Sequence, residues 1–482
     1  MRDWYRIWNH KEPLHSGHFQ HAWTVAEEWG RYHGPPGPGR SFQRPTNRPC
    51  LLSSGQRPYV SGEGSLEKAT YRAWMDARMA KRHKWQFASR FRKGAFGWRS
   101  QLPVKRVKEA TSEIKKVARK DPVLAAEGAV RFLEKVSPAL EHVDGSSGAI
   151  GTAVYRAVEA MVPIIAEAPL DPKKRAALLE RLWTAFQEDD MPYIETVGDY
   201  WGELCASPEL ASEWADRLLG IVRLSWSPDP NTRGFFKGTF ACLSCLLTAG
   251  RNEELLALLE EAPHVWWHYR KFGVRALVAL GRKAEALRYA EASGGLNDSP
   301  FAIARACEEI LLSSGLAEEA YQRYALQATR RTTYLATFRA VAKRYPDLPP
   351  ERILRDLAES TPGEEGKWFA AAKDAKLFDL AVELANQSPC DPRTLTRAAR
   401  DFAEENPGFA VDAGTAALRW LVEGYGFEIT SFDVLKAYKH TMVAAENAGC
   451  RQEVFDRLIE LVRSETFGER FVTKVLGKEL GL

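Results

Sequence analysis

One stretch of the chain mixes cationic and aromatic side chains in a pattern that suits nucleic acid. Aromatic rings stack on bases and cations neutralise phosphates, so the mixture over residues 80–120 is typical of binding to single-stranded nucleic acid or RNA. The candidate nucleic-acid-binding residues are Lys81, Arg82, Lys84, Trp85, Arg90, Arg92, Lys93, Trp98 and Arg99. The second interpretation is that the aromatic rings, including Phe87, Phe91 and Phe96, cap the first helical hairpin while the cations stay solvated.

Residues that could carry catalysis are few. The sequence contains no phosphate-binding loop, no HExxH or GxSxG motif and no kinase loop. The acid pairs at 189–190 and 364–365 occur in predicted turns, and two such carboxylates could serve a glycoside hydrolase built as a helical barrel. Adjacent acids more often mark a solvated turn or a helix N-terminus. We therefore expect no enzyme and assign no catalytic residue or cofactor, with a helical-barrel hydrolase as an alternative.

The cysteines do not indicate a disulfide framework or a metal site. The seven cysteines are scattered, and Cys242 and Cys245 form a single CxxC spacing. A zinc site needs a second ligand pair, and a redox motif needs a thioredoxin-like pattern around it. Because a spacing of three on the apolar run 240–247 fits one face of a helix, we expect core thiols and no metal.

Charge and composition divide the 482 residues into regions. The net charge is only +4, yet residues 78–120 hold fifteen Lys or Arg against Glu109 and Glu113, and residues 121–482 carry a net charge of −12. We predict an irregular extension over residues 1–77, a basic aromatic arm with the first helix over 78–120, a helical subdomain over 121–230 and a helical-repeat array over 231–482. Met75 and Met79 are candidate native starts, which would make the preceding residues an extension.

Neither end of the sequence nor its interior indicates membrane insertion. The longest apolar stretches fall short of the ~18 residues that a membrane helix needs. The amino terminus places His10, His15 and His18 where a secretion signal carries an apolar block. We therefore expect a cytoplasmic protein.

The elements that position these residues are predicted to be helices throughout. Asp121, Asp171 and Ser207 each precede a proline, which places a capping side chain beside proline in the first helical turn. Apolar positions then recur at helical spacing, and strand-like alternation is not sustained. The sequence predicts an all-α chain.

A short phrase recurs after several turns of the second half of the chain. It consists of glycine, an acid four residues on, a small or branched residue and then a large apolar one. Its copies begin at Gly250, Gly281, Gly315, Ala375 and Gly449, with Ala375 in the glycine position and a skipped copy near residues 345–346. Fixed periods of this size indicate helical hairpins that stack to bury a shared core.

This phrase resembles the turn and second-helix start of tetratricopeptide repeats, best at Gly281, Glu285, Ala286 and Leu287. The resemblance covers roughly residues 235–465 and implies an α-solenoid, a right-handed array of helix pairs. The tryptophan and tyrosine of the family's first helix are not regular here, so no peptide-binding residue is carried over. The whole chain also resembles bacterial helical proteins of uncharacterised function.

The expected function is a non-catalytic scaffold that binds a protein or peptide partner along the array, without contact with a membrane. The alternative is a nucleic-acid-binding protein that uses the basic aromatic arm. Exposed aromatic side chains are the usual anchors of such interfaces. The candidate partner-binding residues are Trp266, Trp267, Tyr269, Trp368 and Phe369. The competing interpretation places each of them in the core between repeats.

Overall fold

The computed structural model describes residues 83–295 and 299–482, and within these ranges every regular element is a helix. The all-α prediction is confirmed. The chain divides into two compact units, with the boundary between Pro263 and His264, so the predicted boundary at 230–231 falls inside the first unit. The predictions for residues 1–77, for Lys81 and Arg82, and for a native start at Met75 or Met79 lie outside the described residues.

The first unit contains nine α-helices within its described part. Their bounds are α1 Gln86–Arg90, α2 Gln101–Ala118, α3 Pro122–Ala139, α4 Ala149–Ala166, α5 Pro172–Gln187, α6 Trp201–Cys205, α7 Pro208–Ser225, α8 Thr239–Thr248 and α9 Asn252–Glu260, with a 3₁₀ turn at Glu195–Tyr200. α2 packs against α3 and α4, and α6 packs against α7 and α8. α4 is the one helix among the described residues that is long and apolar enough to cross a membrane, and half of its residues are buried.

The three predicted helix starts are confirmed. The side chains of Asp121, Asp171 and Ser207 accept hydrogen bonds from backbone N–H groups three residues on, and each precedes a proline at the first helical position. Each acceptor satisfies one of the N–H groups that have no partner within the helix.

Large side chains pack the interior of the first unit. Trp201 is fully buried, and its ring lies 5.1 Å from the rings of both Trp183 and Trp214. Cys242 and Cys245 are also fully buried, as predicted, and burial raises the pKa of the Cys242 thiol to about 12. Such a thiol stays protonated at neutral pH and is a poor nucleophile.

A buried arginine joins the ends of two helices in this unit. Arg175 of α5 donates hydrogen bonds to the carbonyl oxygens of Ile165 (3.1 Å), Ala166 (3.2 Å) and Ala168 (2.7 Å) at the end of α4. It also donates to the carbonyl oxygen of Leu204 in α6 (3.0 Å). The carboxyl end of a helix carries a partial negative charge, so these carbonyls solvate the guanidinium without a carboxylate.

The second unit contains thirteen α-helices among its described residues. Their bounds are α10 Trp267–Ala279, α11 Lys283–Glu291, α12 Pro300–Leu312, α13 Ala317–Thr329, α14 Tyr334–Arg344, α15 Pro350–Glu359, α16 Phe369–Asp374, α17 Phe378–Gln387, α18 Pro392–Asp401, α19 Pro407–Val422, α20 Ser431–Asn447, α21 Arg451–Arg463 and α22 Phe471–Leu480, with a 3₁₀ turn at Glu365–Trp368. α14 ends directly before residues 345–346, where the skipped copy of the repeated phrase was predicted.

The repeated phrase corresponds to one recurring turn. Gly281 has a φ of 77°, and the next N–H, from Arg282, donates to the carbonyl of Leu277 five residues back (2.9 Å). This is the Schellman arrangement that closes a helix C-terminus. The same turn occurs at Gly250, Gly315 and Gly449, and each time the next helix begins two residues later.

The prediction that Ala375 takes the glycine position is wrong by one residue. Ala375 has a φ of −76°, whereas Lys376 has a φ of 60° and its neighbour Leu377 donates to the carbonyl of Ala372. The small residue of the phrase comes five positions after the left-handed residue. Counted from Lys376, it is Ala381 of α17, which is fully buried. A side chain is strained in this left-handed conformation, which is why glycine fills the other four copies.

Side-chain bonds in the second unit join helices that are next but one in the chain. Arg352 of α15 donates to Glu318 of α13, 34 residues earlier, and Tyr321 of α13 donates to Asp356 of α15, 35 residues later. From the first contact to the second, the position moves towards the carboxyl end of both helices, so α13 and α15 run in the same direction. Further bonds between alternate helices, 28 to 40 residues apart, are Arg323–Glu291, Arg339–Asp374, Arg355–Glu383, Arg419–Asn386 and Arg393–Asp433.

Candidate functional site

An open groove that could hold a ligand lies between α1 and α2 of the first unit. Its volume is about 740 Å³, which lies within the range of ligand-binding clefts. Six cationic residues and two carboxylates belong to its lining. They are Lys84, Arg90, Lys105, Arg106, Lys108 and Lys116, with Glu109 and Glu113. We call this feature the basic groove.

Both carboxylates of the basic groove are already bound by neighbouring groups. Glu109 accepts from Arg90 (2.8 Å) and Arg106 (2.6 Å), and the hydrogen bond from Arg106 is the main reason that the pKa of Glu109 is lowered. Glu113 accepts from the backbone N–H groups of Gln86 (2.7 Å) and Phe87 (3.1 Å). Four lysines are left without an ion pair within the part of the chain that the structure describes.

The aromatic residues of the arm pack inward. Trp85 is 5% exposed, and its ring fills a notch at Gly128 of α3, where a Cβ atom would come within 2.1 Å of it. Phe87 and Phe91 pack edge to face on Phe132 at 5.7 Å and 5.3 Å. The second interpretation of the arm, in which the rings cap the first hairpin, describes these residues and Phe96, which is also buried.

Other predicted nucleic-acid-binding residues are on the surface. Trp98 is 72% exposed, and it is the arm's one aromatic candidate whose ring could meet a ligand within the described residues. The exposed cationic candidates are Lys84, Arg90, Arg92, Lys93 and Arg99, of which Lys84 and Arg90 line the basic groove.

Three lysines of the basic groove were not singled out from the sequence. Lys105, Lys108 and Lys116 lie on α2 at intervals of three and eight residues, which places them on one helix face. That spacing is the signal that could have found them. Their charges lie within the predicted arm over residues 80–120, but the candidate residues named in that arm end at Arg99.

Three of the five candidate partner-binding residues lie in the core of the second unit. Trp267, Trp368 and Phe369 are at most 5% exposed. The indole of Trp368 donates to the hydroxyl of Thr361 (2.8 Å). Trp266 and Tyr269 are partly exposed, and their rings pack edge to face at 4.9 Å. The core interpretation describes the first three, and the last two stay candidates.

A different surface of the second unit exposes large apolar side chains. Phe432, Leu435 and Val443 of α20 are 63%, 40% and 42% exposed. They share one face of the helix with Lys436 and Lys439, and the Lys436 ammonium lies 4.2 Å from the centre of the Phe432 ring. Together with the exposed row Arg393, Arg397 and Arg400 of α18, we call this surface the α18–α20 face.

The two helices of this face run in the same direction. Arg393 forms a bidentate pair with Asp433 (3.2 and 3.0 Å), which lowers the pKa of that carboxyl. Just beyond the end of α18, the carbonyl of Ala403 accepts a hydrogen bond from the side chain of Asn447 at the end of α20 (2.8 Å). From the first contact to the second, both helices advance towards their carboxyl ends, so their exposed side chains form parallel rows.

The carboxylate pairs considered for a hydrolase make structural contacts. Asp189 is buried, accepts from the N–H groups of Tyr193 (3.3 Å) and Ile194 (2.9 Å), and has a pKa raised by that burial. Glu364 accepts from Lys367 (2.6 Å) and from the Tyr334 hydroxyl. In the described residues, no group of three or more His, Cys, Asp or Glu side chains is arranged to hold a metal ion.

Comparisons with known proteins gave no relative from which to transfer an activity. Neither the family models, nor the curated proteins, nor the solved structures contained a match to this chain. The basic groove and the α18–α20 face are therefore the surfaces from which function is inferred.

Proposed function

We propose that this protein is a non-catalytic helical-repeat scaffold, a tetratricopeptide-like α-solenoid, that binds a partner protein through the α18–α20 face. The observation that carries the proposal is that this face combines exposed apolar anchors with two parallel rows of cations. It fits an acidic segment with apolar residues, which would set its apolar side chains against Phe432, Leu435 and Val443.

Charge supports the choice of an acidic partner. Residues 121–482 carry a net charge of −12, so a cationic face on this part of the chain stands out from its surroundings. Asp433 and Asp401 compensate Arg393 and Arg400 in part. Arg397, Lys436 and Lys439 form no ion pair among the described residues. A local positive surface on an acidic body favours acidic partners and repels basic ones.

The regular helix register supports the repeat-array part of the proposal. Contacts that recur 28 to 40 residues apart are what stacked hairpins produce, because each hairpin contacts mainly the next. Such arrays present the exposed side chains of alternate helices as an extended surface. α18 and α20 are alternate helices and present their rows in this way.

The test is affinity purification of the tagged full chain from its native host after nuclease treatment, followed by cross-linking mass spectrometry. The face variant carries Phe432→Glu, Leu435→Glu and Lys436→Glu. The control carries Ile221→Glu and Leu224→Glu on α7, where the wild-type side chains are 46% and 61% exposed. We expect a partner that is cross-linked to α20 through an acidic segment, is retained by the control and is lost from the face variant. A partner retained equally by both variants, or the absence of any cross-link to α18 or α20, would overturn the proposal.

A further inference from the structure

The basic groove carries a binding chemistry that the proposed scaffold does not use. Glu109 and Glu113 are bound by protein groups, so the charge that a ligand meets is set by the four lysines that form no ion pair with residues 83–295 or 299–482. Ammonium groups grouped in a cleft attract anions, and the surrounding low-dielectric walls strengthen the field there. The ligand class is therefore anionic.

The dimensions of the lysine row favour a polymer over a small anion. Lys105 and Lys116 are eleven residues apart on α2, which corresponds to roughly 16 Å at the rise of an α-helix. A nucleic-acid strand in a duplex places one phosphate about every 3.4 Å along its axis. The row therefore spans several consecutive phosphates, and the Ser112 hydroxyl between the lysines adds a hydrogen-bond donor.

The apolar residues of the lining distinguish a nucleic acid from an acidic protein segment. Phe87 and Ala110 are buried and Val117 is only partly exposed, so the groove offers no large exposed apolar anchor. Protein interfaces depend on such anchors, whereas contacts to a phosphate backbone do not. The α18–α20 face shows the opposite arrangement, with Phe432 exposed beside its cations.

We propose that the basic groove binds the phosphate backbone of a nucleic acid through Lys84, Lys105, Lys108 and Lys116. Phe87 is buried, and the other ring of the lining is the small imidazole of His83, which packs against Trp85 with ring centres 4.4 Å apart, so the groove provides no large aromatic ring on which bases could stack. Binding therefore depends on charge and carries little base-sequence preference. The cations of the arm contribute as the sequence indicates, but the centre of the site lies on α2.

The experiment uses the full chain and a fluorescein-labelled RNA 20-mer of mixed sequence, with binding followed by anisotropy at 50 to 200 mM salt. The groove variant carries Lys105→Gln, Lys108→Gln and Lys116→Gln. The matched control carries Lys115→Gln, Arg119→Gln and Lys120→Gln, which removes the same charge from exposed positions that do not line the groove. Circular dichroism checks that both variants fold.

We expect the groove variant to bind at least about tenfold more weakly, and the slope of log affinity against log salt to fall by about 2, since three phosphate contacts are lost. The control is expected to stay within about threefold of the native protein. Equal losses in both variants, or no RNA binding at 50 mM salt, would overturn the proposal. Polyglutamate that displaces the RNA at equal charge concentration would also overturn it, because the groove would then select acidic polymers in general.

Discussion

Two buried charged sites, one in each unit, are accommodated in different ways. In the first unit, the Arg175 guanidinium is held by four backbone carbonyls at the ends of α4 and α6. In the second unit, the adjacent carboxylates of Glu308 and Glu309 are buried in α12, near Arg344 and Arg305. Backbone carbonyls do not titrate in the physiological range and carboxylates do. The comparison teaches that the group which surrounds a buried charge decides whether that site responds to pH.

The largest effect is expected from removing the arginine of the first unit. Arg175→Met leaves buried carbonyl oxygens without their donor and should lower the free energy of unfolding by about 3 kcal/mol, with little dependence on pH. Urea unfolding followed by circular dichroism at pH 5 and pH 8 measures it. Lys173→Met, an exposed change two residues earlier, is the control and should stay within about 0.5 kcal/mol. A loss below about 1 kcal/mol would show that the carbonyls find other partners.

The second-largest effect concerns Glu309. The pKa of Glu309 is raised to about 7, mainly by burial and in part by the negative charge of Glu308. The positive charges of Arg305 and Arg344 lower it, but they do not offset the effect of burial. The folded protein then binds more protons than the unfolded chain between about pH 4.5 and pH 7, so this group favours folding at low pH and opposes it above pH 7. Glu309→Gln should therefore stabilise the protein by about 2 kcal/mol at pH 8, and the gain should shrink towards pH 5.

The measurement for Glu309 is the same pair of urea unfolding curves. Glu319→Gln, which changes a more exposed acid of the same unit, serves as the control and should show a small difference that does not vary with pH. The Tyr345 hydroxyl donates to the neighbouring carboxylate of Glu308 (2.7 Å) and holds it in place. A gain that is equal at both pH values would mean that Glu309 is ionised in the folded protein throughout.

A smaller effect is expected at the left-handed residue of the recurring turn, which occurs in both units. Lys376→Gly in the second unit relieves the backbone strain of a left-handed residue. It should raise the free energy of unfolding by about 1 kcal/mol. Gly250→Lys in the first unit should destabilise by a similar amount, and since a Cβ there meets nothing within 4 Å, only backbone strain is tested. Thermal unfolding of both variants measures it. Shifts of the same sign would contradict the equivalence of the two turns.

The smallest effect is expected from the exposed ion pairs that join alternate helices. Arg217 pairs with Glu180 in the first unit and Arg339 with Asp374 in the second, and both arginines are about half exposed. Solvent screens such pairs, so Arg217→Ala and Arg339→Ala should each change the free energy of unfolding less than the substitutions above. Urea unfolding at low and high salt measures this. A loss as large as that expected for Arg175→Met in only one unit would show that its ion pairs act as a network.

Much of the fold could be predicted from the sequence because it depends on interactions between residues that are close in the chain. Asp, Ser and Pro at helix starts act within one turn, and glycine at a left-handed position has few substitutes, so these features were predicted correctly. The left-handed conformation of Lys376 was not predicted, because the surrounding hairpin imposes it on a residue that does not prefer it. Ala375, as the smaller residue, appeared the better match.

The site was less predictable because exposure depends on tertiary packing. Nothing in the irregular run around Trp85 shows that Gly128, 43 positions later in the sequence, leaves a notch for its indole. For Trp368 and Phe369 the sequence likewise left two interpretations, a partner anchor or the core between repeats, and tertiary packing decides for the core. By contrast, the lysines of α2 follow helical spacing, and their common face was predictable in principle.

The notch at Gly128 has a consequence for how the basic groove would associate with a ligand. Trp85 fills the notch and Glu113 ties down the backbone of Gln86 and Phe87, so the wall opposite α2 is fixed by packing. A preformed wall loses little conformational entropy when a ligand arrives. Association would then be limited by electrostatically steered diffusion rather than by ordering of the protein, and its rate constant would fall steeply as salt is added.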